Sequence, residues 1–193
     1  MKSLQDKKDN ETHLREMKNI KIRIIGSCGS GKSYLGKEIS KMFGIPYYEL
    51  DNMIWDRTIE NLRFPEAIRD VEFNRIVNSE SWIIEGVQYK WTNESFIKAD
   101  FIYILNPNVY IRDYRIIRRF IKSRIGIEQW NYKQSFKNLI KMLIKWNHGY
   151  NQKEVLDITN EYTYKRLEMK TSRDVINHIQ DNLKVIQDGN GIT

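Results

Sequence analysis

Short apolar runs alternate with longer amphipathic stretches along this chain. Four runs of four to six residues, and a less regular fifth, are typical of strands. They lie at Ile20–Ile25, Tyr47–Asp51, Trp82–Glu85, Phe101–Leu105 and Tyr164–Met169. The stretches between them have helical spacing and predict helices over Lys32–Phe43, from Pro65 to about Val77, and over Val109–Ser123, Gln134–Trp146 and Arg173–Ile186. This alternation predicts an α/β fold whose parallel sheet is covered by helices on both faces.

Length and composition limit the class of protein. The 193 residues suit one domain, and the polar residues 1–18 predict a flexible tail before a folded domain over 19–193. No apolar run reaches the roughly 18 residues that a membrane span needs. The first residues also lack an apolar signal core, so we expect a cytoplasmic protein with no membrane partner. The single cysteine, Cys28, excludes an intramolecular disulfide and a zinc site built from several cysteines.

Positive charge is concentrated in one part of the chain. The net charge is +7, but residues 110–150 hold ten Lys or Arg against only Asp113 and Glu128, which gives this segment +8. The remainder of the chain carries −1. We therefore expect this basic segment to be the part that meets an anionic ligand or partner.

A glycine-rich segment follows the first predicted strand and precedes the first predicted helix. It reads Gly26-Ser27-Cys28-Gly29-Ser30-Gly31-Lys32-Ser33, the pattern G-x-x-x-x-G-K-S of a phosphate-binding loop. Glycines let the backbone bend until successive N–H groups face a phosphate. We expect the loop and the following Tyr34 to contact ATP. Within it, Lys32 would reach the β and γ phosphates and the Ser33 hydroxyl would bind Mg²⁺.

Cys28 lies inside this loop and allows two interpretations. Its thiol could be reactive, because a helix N-terminus lowers a thiol pKa. Alternatively, cysteine is simply a small residue at a permissive position, which is the interpretation we favour.

The remaining motifs indicate a small phosphoryl-transfer enzyme. A GTPase would need N-K-x-D, which is absent, and the only D-x-x-G begins at Asp188, near the end of the chain. Asp51 and Glu85 stand at the ends of two predicted strands, where ligands bind in α/β sheets. We expect Glu85 to act near the metal and Asp51 near the acceptor. The residues that follow these acids, Trp55 and Gln88–Trp91, would line a substrate pocket or pack in the core.

Arginines recur along one face of the predicted helix over Val109–Ser123. Arg112, Arg115 and Arg119 follow each other at i, i+3 and i+7, and Ile116 belongs to an apolar side. Such a stripe is often a solvated surface. Because a guanidinium is suited to binding a phosphate through two hydrogen bonds, we expect at least one arginine to clamp a phosphate.

The chain resembles the FlaR-type topology-modulation proteins, which are similar to adenylate and shikimate kinases. The matching pieces are IRIIGSCGSGKSYLGKEIS, IPYYELDNMIW, SWIIEG and FIYILNP with its arginine-rich helix. The resemblance implies a five-stranded parallel sheet in the order 2-3-1-4-5, a helical lid over about 110–150, and ATP with Mg²⁺ as ligands. It also implies that Glu85 is the acid of the third strand, that Asp51 is the acid near the acceptor, and that Arg115 and Arg119 are lid arginines.

The chain departs from this family pattern at four positions. Glu85 stands where Asp is usual, and its longer side chain would reach Mg²⁺ through water. Asn52 replaces a second common acid, which weakens any metal site built on two carboxylates. Asn106 and Tyr34 replace a common Asp and Thr, and Tyr34 could not replace Ser33 as metal ligand.

Two functions from different classes remain. The favoured one is an ATP-dependent kinase acting on a small molecule such as a nucleoside or nucleotide. The alternative is a DNA-binding, topology-modulating regulator switched by ATP, supported by aromatic residues interleaved with the basic segment, Trp130, Tyr132, Trp146 and Tyr150. A third reading, an ATP-binding protein without transfer activity, fits the missing acid at Asn52.

Overall fold

The computed structural model describes residues 19–56, 62–125 and 135–189, with side chains described as far as residue 182. The predicted tail over 1–18 and the two aromatic residues Trp130 and Tyr132 lie outside the described residues.

A five-stranded parallel sheet forms the centre of the fold. Its strands are β1 Lys21–Gly26, β2 Tyr47–Glu49, β3 Trp82–Gly86, β4 Phe101–Leu105 and β5 Arg166–Met169. The order β2-β3-β1-β4-β5 confirms the order that the family resemblance implied. β1 pairs with β3 on one side and with β4 on the other. Successive residues of the central strands are buried on both faces, which is why β3 and β4 read as nearly continuous apolar runs, whereas β1 also carries the buried Arg23.

Helices cover both faces, so the architecture has three layers, as predicted. In chain order they are α1 Lys32–Phe43, α2 Leu50–Ile54, α3 Glu66–Val77, α4 Asn93–Lys98, α5 Val109–Arg124, α6 Phe136–Lys141, α7 Gln152–Ile158 and α8 Ser172–Gly189. A π-helical segment, Met142–His148, continues α6, and a 3₁₀ turn, Asn160–Tyr162, follows α7. No helix among the described residues combines the length and the apolar character that crossing a membrane would require.

Two apolar clusters hold the layers together. On one face of the sheet, Leu35 and Ile39 of α1 pack with Val175 and Ile179 of α8. On the other face, α2, α3, α4 and α7 contribute Leu50, Phe73, Phe96 and Val155 to a second cluster. Both clusters include strand residues, so burial on the two sides of the sheet fixes how the helices are placed around the strand ends.

The second strand is shorter than predicted. β2 ends at Glu49, and Asp51 lies in the first turn of α2 rather than at a strand end. Leu50 is fully buried, and its side chain would come within 2.9 Å of a Cβ placed on Gly86. The chain therefore turns inward at Leu50 and starts a helix, and the prediction of a strand through Asp51 was wrong.

A fully buried cation joins the central strand to the loop after β3. The Arg23 guanidinium donates to the carbonyl oxygens of Ile24 at 2.7 Å, Ile84 at 3.2 Å and Gln88 at 2.6 Å. It also lies 5.2 Å from the centre of the Phe96 ring. Burial lowers the pKa of Arg23 to about 10, and the Glu85 carboxylate acts in the opposite direction. Arg23 thus holds the Gln88 backbone beside the end of β3.

Gly36 of α1 generates a prediction about stability. A Cβ at this position would lie 2.3 Å from a ring carbon of Tyr47. The close packing of α1 against β2 therefore requires a residue without a side chain. The overlap that Gly36→Ala creates should cost about 1–3 kcal/mol. Alanine regains roughly 1 kcal/mol in helix propensity, so we expect the variant to be destabilised by up to about 2 kcal/mol.

Urea unfolding of the Gly36→Ala variant measures this effect. Gly44→Asn is the matched control, because Gly44 ends α1 in the left-handed region at φ 69° with no atom within 4 Å of its Cβ direction. Asparagine tolerates that conformation. A Gly36→Ala protein as stable as the unmodified chain would contradict the packing argument.

Candidate functional site

The glycine-rich loop turns sharply between β1 and α1. Gly29 and Gly31 have φ angles of 76° and 101°, in the left-handed region that favours glycine. A Cβ on Gly29 would lie 2.7 Å from the carbonyl oxygen of Arg112, so the loop and α5 approach each other closely. Because α1 begins at Lys32, the positive end of its dipole faces the loop, which favours an anion there.

Lys32 is buried within this loop. Its ammonium donates to the carbonyl oxygen of Ser27 at 3.1 Å. An ammonium group carries three protons, so it can hold this carbonyl and phosphate oxygens together. The residues of the loop therefore fit a phosphate chain. Tyr34, the last residue of the predicted contact set, is 63% exposed.

A cluster of hydroxyl and carboxylate groups lies at the carboxyl ends of β2 and β3. We call it the carboxylate cluster, and its members are Ser33, Tyr47, Glu49 and Glu85. The Ser33 hydroxyl donates to Glu85 Oε1 at 2.8 Å, which brings together the two residues predicted to hold a metal. The Tyr47 hydroxyl lies 3.1 Å from the same oxygen and 2.9 Å from Glu49 Oε1. Glu49 and Glu85 are register partners in the parallel β2–β3 pair. Tyr47 and Glu49 were not among the predicted site residues, although their i, i+2 spacing at a strand end places them on one face.

These oxygen atoms are of the kind that Mg²⁺ prefers. The described residues contain no group of three or more His, Cys, Asp or Glu side chains that could hold a metal ion alone. Ser33 and Glu85 could therefore hold Mg²⁺ only together with water and phosphate oxygens, which is common for this ion.

Three arginines of α5 contact the loop. The buried Arg112 guanidinium donates to the Ser27 hydroxyl at 2.7 Å, and burial lowers the pKa of Arg112. Arg115 donates to the carbonyl oxygen of Ser30 at 2.9 Å, and Arg119 lies 3.7 Å from the sulfur of Cys28. The arginine stripe thus faces the phosphate-binding loop. Arg112 makes the most buried of these contacts. The family resemblance implied phosphate roles only for Arg115 and Arg119.

The base of the predicted lid is tied to the same loop. Asn147, in the π-helical segment, is buried and donates to Asp113 Oδ1 at 2.6 Å, and its side-chain oxygen lies 3.4 Å from the Ser27 hydroxyl. His148 contacts the other oxygen of Asp113 at 2.8 Å. No sequence pattern pointed to Asn147, because its partners lie on other elements.

Cys28 packs against apolar residues at this junction. The thiol is half-buried and contacts the small cluster of Ile116, Leu139 and Met142. This packing agrees with a small residue that fills space, and reactivity of the thiol stays an untested alternative.

Asp51 contacts the loop that follows β3. Its exposed side chain accepts a hydrogen bond from the Gln88 amide at 2.7 Å. Other members of the predicted pocket are engaged elsewhere: the Trp55 ring lies under Arg63 at 4.5 Å, and Trp91 packs edge-on against Phe73. Within the segment Gln88–Trp91, Gln88 is thus the residue that contacts Asp51.

A cavity of about 440 Å³ lies beside the edge strand, and we call it the β2 groove. Its volume is in the range of small-molecule sites, roughly 300–1,000 Å³. It is lined by Tyr47, Tyr48, Glu49, Asn52, Met53, Phe64, Ile68, Arg69, Glu72 and Ile76. Because Tyr47 and Glu49 belong both to this lining and to the carboxylate cluster, the groove adjoins the place predicted for the γ-phosphate.

Solved structures of several kinases share this fold. A shikimate kinase from Acinetobacter baumannii in complex with shikimate has 17% sequence identity and a TM-score of 0.50, with 93% of this chain and 99% of that chain covered. A deoxyadenosine kinase from M. mycoides with bound dATP has 17% identity and a TM-score of 0.53, covering 86% and 100%. A shikimate kinase from Bacteroides thetaiotaomicron has 16% identity and a TM-score of 0.51, covering 86% and 98%.

At these identities the likeness is one of fold. No protein-family model and no curated protein sequence matches this chain. The chain therefore shares the fold of these kinases.

The carboxylate cluster generates a prediction about pH. Burial, followed by the charges of Glu85 and Glu49, raises the pKa of the Tyr47 hydroxyl. The unfolded chain loses this proton near pH 10. Above that pH the folded state binds more protons than the unfolded state, so the free energy of unfolding falls as pH rises, by at most about 1.4 kcal/mol per pH unit for one group.

We expect Tyr47→Phe to reduce this slope in urea unfolding measured from about pH 8 to about pH 11. Burial also raises the pKa of Tyr103 and Tyr150, so part of the slope remains in the variant. Tyr110→Phe is the control, because Tyr110 is 75% exposed. An unchanged slope in Tyr47→Phe would contradict the buried-hydroxyl assignment.

Proposed function

We propose that this chain is an ATP-dependent kinase that transfers the γ-phosphoryl group of Mg-ATP to a small-molecule acceptor. The observation that carries the proposal is the G-x-x-x-x-G-K-S loop between β1 and α1, with the Ser33–Glu85 contact at one end and α5 arginines against it. The kinase fold of the similar structures agrees with it. FlaR-type membership, which rests on the sequence pieces quoted above, is part of the same proposal.

Some residues of the candidate site would bind the phosphates and offset their charge, and others would hold the loop in position. ATP would supply the phosphoryl group, and Mg²⁺ would offset the charge of its oxygens. Lys32 and the loop N–H groups would bind the β and γ phosphates, and Ser33 and Glu85 would hold the metal. Arg115 and Arg119 would cover the γ-phosphoryl group and exclude water, and Arg112 would keep Ser27 and the loop in place.

The transfer step needs a group beside the acceptor. A bond forms between the γ-phosphorus and the acceptor oxygen while the bond to the β–γ bridging oxygen breaks, and ADP leaves. The acceptor hydroxyl loses its proton to a carboxylate, the role that we propose for Asp51. Its hydrogen bond from Gln88 would hold the Asp51 carboxylate in position.

Replacing Lys32 tests the phosphate-binding assignment. We expect Lys32→Ala to lower kcat/KM by about 100-fold or more, because one charge-stabilising donor of the transition state is lost. Steady-state ATP consumption across a panel of nucleosides, nucleotides and sugars measures this change. The control is Lys41→Ala, an exposed lysine in the last turn of the same helix. Full activity in Lys32→Ala, with the fold intact by circular dichroism, would reject the mechanism.

The alternative, a DNA-binding regulator switched by ATP, has less support. Of the aromatic residues that favoured it, Trp146 is exposed beside Lys141, whereas Tyr150 packs against the apolar cluster of α3 and α7. We expect affinity for duplex DNA to be weak. Filter binding over a salt series measures it, and tight binding that falls steeply with salt would favour the regulator.

A further inference from the structure

We infer that the acceptor is an uncharged hydroxyl compound with an apolar face, such as a nucleoside, and not a phosphorylated or carboxylate compound. This inference rests on the proposed kinase function. It is drawn from a difference in charge between the two sides of the candidate site, the phosphate-binding loop and the β2 groove.

The groove is placed to hold the acceptor. Glu49 in its wall contacts Tyr47, Tyr47 contacts Glu85, and Glu85 contacts Ser33. A compound bound in the groove therefore lies next to the side chains that would hold the metal and the γ-phosphate.

The cation in the groove lining is already neutralised. Arg69 is the only Lys or Arg among the described residues that line it. Its Nε and Nη2 lie 2.8 and 2.7 Å from Asp70 Oδ1, and Nη1 lies 3.6 Å from Glu66. The guanidinium also lies 4.3 Å from the centre of the Trp91 ring. An anionic acceptor would have to compete with Asp70 for this group, and its side chain is only 14% exposed.

The other charges beside the groove also disfavour an anion. Its lining contains two carboxylates, Glu49 and Glu72. Each is paired with a cation outside the lining, Glu49 with Lys37 at 3.4 Å and Glu72 with Arg75 at 2.6 Å. Because both of these cations lie outside the lining, an anion bound in the groove would meet the carboxylate ends of the two pairs and would also lose its hydration. Both effects raise the free energy of binding.

The phosphate-binding loop has the opposite arrangement. The hydrogen bonds of Lys32, Arg112 and Arg115 to the loop go to neutral oxygens, those of Ser27 and Ser30. These cations keep their charge for a bound phosphate chain. The site therefore offers unneutralised positive charge to the donor nucleotide and paired charge to the acceptor.

The rest of the groove fits an uncharged molecule with one apolar face. Met53, Phe64, Ile68 and Ile76 provide apolar surface. Tyr48, Asn52 and Glu49 provide polar groups that can hydrogen-bond hydroxyls. A sugar joined to a flat base has both kinds of surface.

Paired acceptors test the inference directly. ATP consumption is measured with adenosine and AMP, cytidine and CMP, thymidine and TMP, and ribose and ribose 5-phosphate. We expect the uncharged member of the preferred pair to have a kcat/KM at least about tenfold higher, because the phosphorylated member must displace an ion pair. Equal or greater turnover of the phosphorylated member would overturn the inference and leave the proposed kinase function standing. No consumption with any compound, although ATP binds, would instead overturn the proposed function, and the inference with it.

A variant that releases Arg69 supplies the second test. Asp70→Asn removes the nearer of the two carboxylates that contact the guanidinium, so we expect the kcat/KM ratio of phosphorylated to uncharged acceptor to rise about tenfold. The matched control is Glu80→Gln, which removes an exposed carboxylate outside the groove and should leave the ratio unchanged. An unchanged ratio in Asp70→Asn, in a variant that folds and turns over the uncharged acceptor, would overturn the inference.

Discussion

The position of β1 between β3 and β4 in a parallel sheet is the constraint on which the candidate site depends. Parallel pairing brings the carboxyl ends of neighbouring strands to one edge of the sheet. The loop that leaves β1 therefore lies beside Glu85 at the end of β3 and beside α5, which follows β4. The Ser33–Glu85 hydrogen bond and the arginine contacts to the loop both follow from this arrangement. Helices on both faces bury the apolar side chains of the central strands and so stabilise this arrangement.

The distribution of charge has a similar origin. The segment over residues 110–150 carries +8. Three arginines of α5, Arg112, Arg115 and Arg119, contact the phosphate-binding loop. Across the site, the cations beside the β2 groove are paired with carboxylates. The excess positive charge of the protein therefore lies partly against its own phosphate-binding loop. The basic isoelectric point is thus weak support for binding to nucleic acid.

The parts of the fold that could be predicted are those with strong local patterns. The short runs around Ile83 and Phe101 are apolar on both faces, as is typical of buried strands, and Gly44 marks the end of α1. The short helices α2, α4 and α7 have five, six and seven residues, too few to establish a helical period. The predicted end of β2 was wrong for a different reason. The strand stops where Leu50 is buried beneath Gly86, a contact between residues far apart in the chain.

By itself the sequence determined the succession of the five strands and the longer helices, the glycine-rich loop and the residue types at its rim. These features are local, since each depends on the spacing of residues close together in the chain. Only the tertiary structure decided that Tyr47 and Glu49 join Glu85, that Asn147 and Arg112 hold Ser27, and that Arg23 lies buried beneath Gln88. It also decided that Arg69 is neutralised by Asp70 beside Trp91. Whether a charged or polar side chain serves a ligand or the fold depends on its burial and its partner, and most of these partners come from distant parts of the chain.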